Sequence, residues 1–248
     1  MNPIIKNTKK LLSHLGLRSW LINHDLLRPE FQQSLIKRPI SQQLIQNFDG
    51  DSGQNLDPND EQYFLGFGLI HYALVRNLRP KRILCIGSCK GFIPAILALA
   101  CKDNAYGQVD FVDAAYDQYD PADSERHWRG IGFWRDVDAK QHFQQLAAEK
   151  YIQTHVMTSQ DYAKKFTKRH YQYIYIDGDH SYAGVKQDYQ LFWPKLEKNG
   201  IMLFHDVMAH GQLDQGEFGV WQLWQELKNR HQIILPFPKE SGLGIIQK

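Results

Sequence analysis

The chain has 248 residues, 43% of them apolar, enough to bury the core of one α/β domain. Its formal charge is only +2, with acids and bases spread along the chain. No basic stripe tracks a nucleic-acid backbone. Three cysteines, Cys85, Cys89 and Cys101, lack the count and spacing of a disulfide framework or zinc knuckle, and no run is long enough to span a bilayer. Both features point to a soluble chain in a reducing, cytoplasmic setting without a signal peptide.

In chain order, residues 1–58 read as an N-terminal helical extension ahead of a domain over 59–248. Lys9–Leu17 and Pro29–Phe48 have helical apolar spacing, and the turn-rich stretch 49–60 follows. Packing or homo-oligomer contact is the expected role of this extension. From Asn59 a helix is predicted, capped by Asn59 or Asp60, with Phe64, Phe67, Leu69, Ile70, Ala73 and Leu74 on its apolar face and Pro80 as its stop. Arg82–Ile86 is a buried, parallel-type strand that breaks into Gly87-Ser-Cys-Lys-Gly91 and a helix over Phe92–Cys101. Val109–Val112 is a second strand, ending at Asp113.

The stretch Ala114–Asp138 is too long for a plain βα connection and reads as a lid or substrate-facing insert. It carries Arg126, His127, Trp128, Arg129, Phe133, Trp134 and Arg135, either as a platform for a sugar or aromatic ligand or as a seal onto the domain. A helix over His142–Lys150, a strand over Ile152–Met157 and a helix over Asp161–Thr167 follow. The basic cluster Lys164, Lys165, Lys168 and Arg169 reads as a solvated helix end.

Tyr173–Ile176 and Ile201–Phe204 are strand runs, each stopping at an acidic or His-Asp cluster, with one helix between them. This β-α-β unit organises the chain. Ligands of open α/β sheets sit outside the carboxyl ends of the strands, so Asp177, Asp179, His180, His205 and Asp206 are expected at one rim. Gly211–Gly219 is a glycine-rich loop, Val220–Arg230 a helix, and Ile233–Leu235 with Leu243–Ile246 a terminal strand pair around a Pro-rich turn.

Two sites bear chemistry. The Gly87–Gly91 turn at a helix N-terminus, with Asp113 at the next strand end, suits a nucleoside: glycines let the backbone approach, and the acid binds ribose hydroxyls. Its GxxxG spacing lacks the middle glycine of a dinucleotide fingerprint. At the second site, Asp177, Asp179 and His180 face His205 and Asp206. Carboxylates at adjacent strand ends can hold a hard cation, and an imidazole beside them can serve as general base. Capping by Asp179 and His180 of a helix starting near Ser181, with His205 as a hydrogen-bonded core group, is the structural alternative.

The stretches ILCIGSCKGF, FVDAAY and YIYIDGDHSYAGVKQDYQLFWPKLEKNGIMLFHDV resemble the class I S-adenosylmethionine-dependent methyltransferases. More narrowly, they are similar to the branch of the macrolide-sugar O-methyltransferases and cephalosporin-biosynthesis methyltransferase homologues. The resemblance implies a Rossmann-like seven-stranded α/β sheet in order 3-2-1-4-5-7-6, last strand antiparallel, with helices on both faces. It implies adenosylmethionine on Gly87, Ser88, Gly91 and Asp113, with its adenine near Ser159, and Asp177 close to the cofactor. It further implies magnesium or another divalent cation on Asp177, His205 and Asp206, and His180 as the base. His205 departs from the pattern, because relatives place a carboxylate there. Cys85 likewise stands where many carry an acid. The implied activity is O-methylation of a small-molecule or saccharide hydroxyl. A metal-dependent hydrolase at the same rim and a non-catalytic binding module are the alternatives.

Overall fold

Short apolar runs alternating with helix-length segments can bury both faces of each strand only in a parallel sheet covered by helices on both sides. The computed structural model takes that form. It describes residues 38–48, 65–115, 133–213, 216–235 and 241–248. The chain divides into two units between Ser41 and Gln42, and everything below concerns the second.

Helix α1 (Arg38–Phe48) leads into that unit, where Leu44 and Phe48 are fully buried and the Phe48 ring lies 4.3 Å from that of His142. Helix α2 (Phe67–Leu78) follows, then β1 (Arg82–Ile86), α3 (Phe92–Asp103) and β2 (Gln108–Asp113). The end of the insert forms α4 (Phe133–Asp136), and α5 (Ala139–Gln144), a 3-10 turn (Glu149–Tyr151), β3 (Ile152–Val156) and α6 (Ser159–Lys165) follow it. Strand β4 (Tyr171–Ile176), α7 (Tyr182–Phe192) and β5 (Leu196–His205) form the central β-α-β unit. A two-stranded ribbon (Gln212–Leu213 with Gly216–Glu217), α8 (Val220–Glu226), β6 (Gln232–Leu235) and β7 (Leu243–Gln247) complete the chain.

The seven strands run β3-β2-β1-β4-β5-β7-β6, with β7 antiparallel to β5 and to β6. This is the expected order. Alternation decides the two cores. Leu84, Ile86, Ile174, Ile176, Met202 and Phe204 point to one face, in one cluster with Tyr162, Val185, Phe192 and Trp224 from α6, α7 and α8. On the other face His71 of α2 reaches the Tyr173 hydroxyl (2.6 Å) and Phe111 meets Trp134 edge-on at 4.9 Å. Helix α3 is buried from Phe92 to Cys101, which is why its sequence is apolar all round. Cys85 is fully buried in β1, as expected of a small hydrophobe.

Several boundaries differ from expectation, each for a local reason. Helix α2 begins only at Phe67, because Gly66 (φ 51) sits outside the helical region; the proposed caps Asn59 and Asp60 and the face residue Phe64 lie outside the described residues. The helix expected over His142–Lys150 is instead α5, opened by Asp138 accepting from the Gln141 amide (3.1 Å), followed by a separate 3-10 turn after Ala147 (φ 49). Helix α6 starts two residues early, because Thr158 caps it through the Asp161 amide (3.1 Å). Helix α8 ends at Glu226 rather than Arg230. Among the described residues no helix is long and apolar enough to cross a membrane.

Asp110 of β2 is fully buried and takes part in a network absent from the sequence reading. Arg82 reaches it at 2.8 Å, Arg169 at 2.9 Å and His155 at 3.3 Å. Arg169 also donates to the Tyr162 hydroxyl and stacks on Phe166 at 3.7 Å. The solvated-face reading therefore fits Lys164 and Lys168 but not Arg169, whose guanidinium closes a buried charge.

Candidate active site

Strands β1, β4 and β5 are neighbours and parallel, so their carboxyl ends meet at one rim. The two predicted sites lie there side by side. The Asp177 amide donates to the Ile86 carbonyl (2.8 Å), stitching the end of β4 to the end of β1. A Cβ on Gly87 would fall 2.2 Å from the Asp177 carbonyl oxygen, and Gly87 has φ +69. Glycine is required here so that the two strand ends can touch, a reason that spacing alone did not reveal.

The turn after β1 is held in an unusual shape. Ser88 (φ 149) and Cys89 (φ 46) are non-glycine residues in positive-φ conformations, each at a cost of order 1–3 kcal/mol. Several bonds fix it: Gly87 N to Val112 O (2.9 Å), Gly91 N to Ser88 O (2.6 Å) and Ile93 N to Ser88 Oγ (3.3 Å). Two ring nitrogens add to these, one from the end of the insert and one from α5 beyond it. Trp134 Nε1 donates to the Cys89 carbonyl (2.7 Å), and His142 Nε2 lies 3.1 Å from the Lys90 carbonyl. Trp134 is 2% exposed, stacks on Phe143, and approaches Gly91 so closely that a Cβ there would meet it at 2.7 Å. Of the two readings of the aromatic insert, sealing describes Trp134. Arg135 instead pairs with Asp136 at the surface. Arg126, His127, Trp128 and Arg129 lie outside the described residues.

Asp113 ends β2 beside this turn. Burial pushes its carboxyl up to about 6, against the Ala115 amide bond to its Oδ1 (2.8 Å) and with help from the Asp177 charge. Ser159 opens α6, and the buried Asp188 of α7, which bonds to it, has its carboxyl raised to about 7 by burial, with the Asp179 charge adding. Asp188 stands inside the quoted motif, yet nothing in its spacing marked it as a partner of Ser159.

The second site is a ring of four charged side chains. His180 Nε2 lies 3.2 Å from Asp177 Oδ1, and its Nδ1 lies 2.9 Å from Asp206 Oδ2. His205 Nδ1 lies 3.0 Å from Asp177 Oδ1 and 3.3 Å from Asp206 Oδ1. Its Nε2 meets Ser241 Oγ at 3.1 Å. Asp206 occupies the left-handed region (φ 59), which Asp tolerates better than most residues. Burial works against every charge in this ring, but the opposite charges prevail: Asp177 and Asp206 are held well below the usual carboxylate range, His180 is raised to about 9, and His205 is raised well above its ordinary value.

The structural alternative for Asp179 holds. Its Oδ1 accepts from the Ser181 amide (2.9 Å), Ser181 caps α7 through the Gly184 amide (3.1 Å), and Gly184 has no room for a Cβ beside the Asp179 carboxylate. His180 is not a cap; it turns into the ring. Ser241 was unforeseen, since it lies in the terminal Pro-rich turn with no sequence signal linking it to His205.

A sheet of this order, with a glycine turn after β1 and acids closing β2 and β4, defines the class I S-adenosylmethionine-dependent methyltransferase fold. Residues 84–207, half of the chain, match the family model described as a methyltransferase domain, and the chain belongs to that family. It is 30% identical over 182 residues to the uncharacterized protein y4gI of Sinorhizobium fredii, covering 70% of this chain and only 18% of that protein. Among solved structures, an O-methyltransferase from Bacillus cereus in complex with SAH superposes with a TM-score of 0.55 at 11% identity, over 84% of this chain and 90% of that one. The O-methyltransferase TomG of Streptomyces achromogenes, involved in tomaymycin synthesis and solved with SAM, gives 0.56 at 15% identity, over 88% and 93%.

Proposed function

We propose that this chain transfers a methyl group from S-adenosylmethionine to a hydroxyl of a saccharide or other small molecule. The observation that carries the reading is His180, an imidazole held at the rim one strand away from the glycine turn. The O-methyltransferases from Bacillus cereus and Streptomyces achromogenes that share the fold agree with it.

The turn suits adenosylmethionine. Its strained backbone is pinned from behind by Trp134 and His142, and Gly91 opens α3. Gly87, Ser88 and Gly91 would face the cofactor, Asp113 its ribose, and Ser159 the neighbourhood of its adenine. The bound cofactor supplies an electrophilic methyl on a positively charged sulfur. His180 takes the acceptor's hydroxyl proton at a ring nitrogen, while the rim holds the oxygen in line; such positioning supplies much of the rate.

A pH dependence follows. His180 must be neutral to accept a proton, and its acids raise it to about 9. Turnover should therefore climb about tenfold per pH unit below that value and level off above it. A profile already flat from pH 6 to 8 would exclude His180 as the base.

Trp134→Phe keeps the packing but removes the bond to Cys89. Loss of one such bond, worth about 1 kcal/mol, should weaken adenosylmethionine binding roughly fivefold. Unchanged affinity would show that the turn holds its shape without it. The reading as a whole is tested by calorimetric titration with adenosylmethionine: saturable binding supports it, and no binding sinks it.

A further inference from the structure

Two carboxylates at adjacent strand ends repel unless a cation lies between them, and the resemblance places a divalent ion there. Magnesium demands six near-octahedral oxygens and sheds water reluctantly. Here the space between Asp177 and Asp206 is faced by nitrogen: His205 Nδ1 at 3.0 and 3.3 Å, and the two nitrogens of His180 at 3.2 and 2.9 Å. Magnesium does not fit this set.

His205 is moreover built in. Its ring side chain is 10% exposed, its far nitrogen rests on Ser241 Oγ (3.1 Å), and Phe67 of α2 meets it edge-on at 6.4 Å. Swinging aside for an ion would break the Ser241 contact within a packed core.

We infer that His205 stands in place of the metal: its Nδ1 edge sits between the two acids, 3.0 Å from Asp177 Oδ1 and 3.3 Å from Asp206 Oδ1, and the protein works without a divalent cation. A rival follows from the same geometry. Asp177, His180 and His205 each offer a ligand atom within 4.8 Å of the others, a nitrogen-rich triad of the kind that zinc-class ions accept once the rings give up protons.

The test titrates chelator-stripped protein with Mg2+, Mn2+ and Zn2+ by calorimetry, for the wild type and for His205→Asp, which restores a third carboxylate. The expected result is no saturable metal heat in the wild type and a new, saturable Mg2+ site in H205D. Saturable binding of any of the three ions to the wild type at this cluster, abolished in Asp177→Asn, overturns the inference. So does H205D that folds yet binds Mg2+ no better than the wild type. Should H205D fail to fold, His205→Glu serves the same purpose, and the wild-type arm decides without either variant. The turnover arm rests on the methyltransferase reading: chelation should change wild-type turnover by less than about twofold, and a larger loss restored by metal overturns the inference. Failure of that reading shows separately, as no binding of adenosylmethionine in the same stripped protein.

Discussion

His180→Ala is expected to lower turnover by about 10²–10⁴-fold, the usual contribution of a positioned acid or base, while leaving adenosylmethionine affinity nearly unchanged. The separation arises because His180 touches Asp177 and Asp206, whereas the Gly87–Gly91 turn is fixed by Ser88, Trp134 and His142. The ring loses one of its two positive groups, so some stability should go as well. That loss has its own sign. His180 is raised from its ordinary value near 6.5 to about 9. Its contribution to stability is therefore fully present below about pH 6.5 and disappears as pH rises through about 9. Melting curves at pH 6 and pH 10 for the wild type and the variant isolate this term: the gap should be wide at pH 6 and narrow at pH 10. Full turnover in the variant would remove His180 from the chemistry. Equal losses of turnover and cofactor affinity would make it a structural residue instead.

The largest stability effect is expected at Asp110. Its carboxylate is fully buried, and burial alone would raise it, yet His155 and Arg82 bonds and the Arg169 charge hold it below the usual range. Removing one partner of a buried ion pair costs about 3–5 kcal/mol, because the other charges remain. Arg82 and Arg169 keep 33% and 25% of their side chains exposed and can recover some hydration, which places Asp110→Ala near the lower end. For a chain of this size, about 3 kcal/mol corresponds to a melting point lower by roughly 6–12 °C. Asp110→Asn keeps an acceptor and should lose less. The pH dependence runs opposite to that of His180: with its folded value lowered, Asp110 stabilises above about pH 4 and ceases to do so as pH falls through that lower value. Melting points of the two variants within a degree of the wild type would show that the network contributes nothing net.

What the sequence determined by itself was the succession of strands and helices, though not every boundary of them. Strand β1 fell on Arg82–Ile86 because a short apolar run bounded by Pro80 and Gly87 has few other solutions. The β-α-β unit, the terminal strand pair and the gathering of Asp177, His180, His205 and Asp206 at one rim were legible because short apolar runs mark the strands and ligand-facing groups follow their carboxyl ends, while the antiparallel direction of the last strand came from the family resemblance.

Tertiary structure alone decided who meets whom across the sheet. Asp110 read as an ordinary strand residue until Arg82, 28 positions away, and Arg169, 59 away, converged on it. Gly87 read only as a ligand-facing glycine, and the fold adds a second demand on it, the Asp177 carbonyl that leaves no room for a Cβ. Ser241 and Trp134 carried no signal for the partners they find, His205 and the Cys89 carbonyl. The raised value of His180 is not a property of its place in the chain, since two acids that follow different strands close around the ring and hold its proton. Spacing along the chain specifies which element a residue joins; burial and charge are sums over neighbours that only the folded chain assembles.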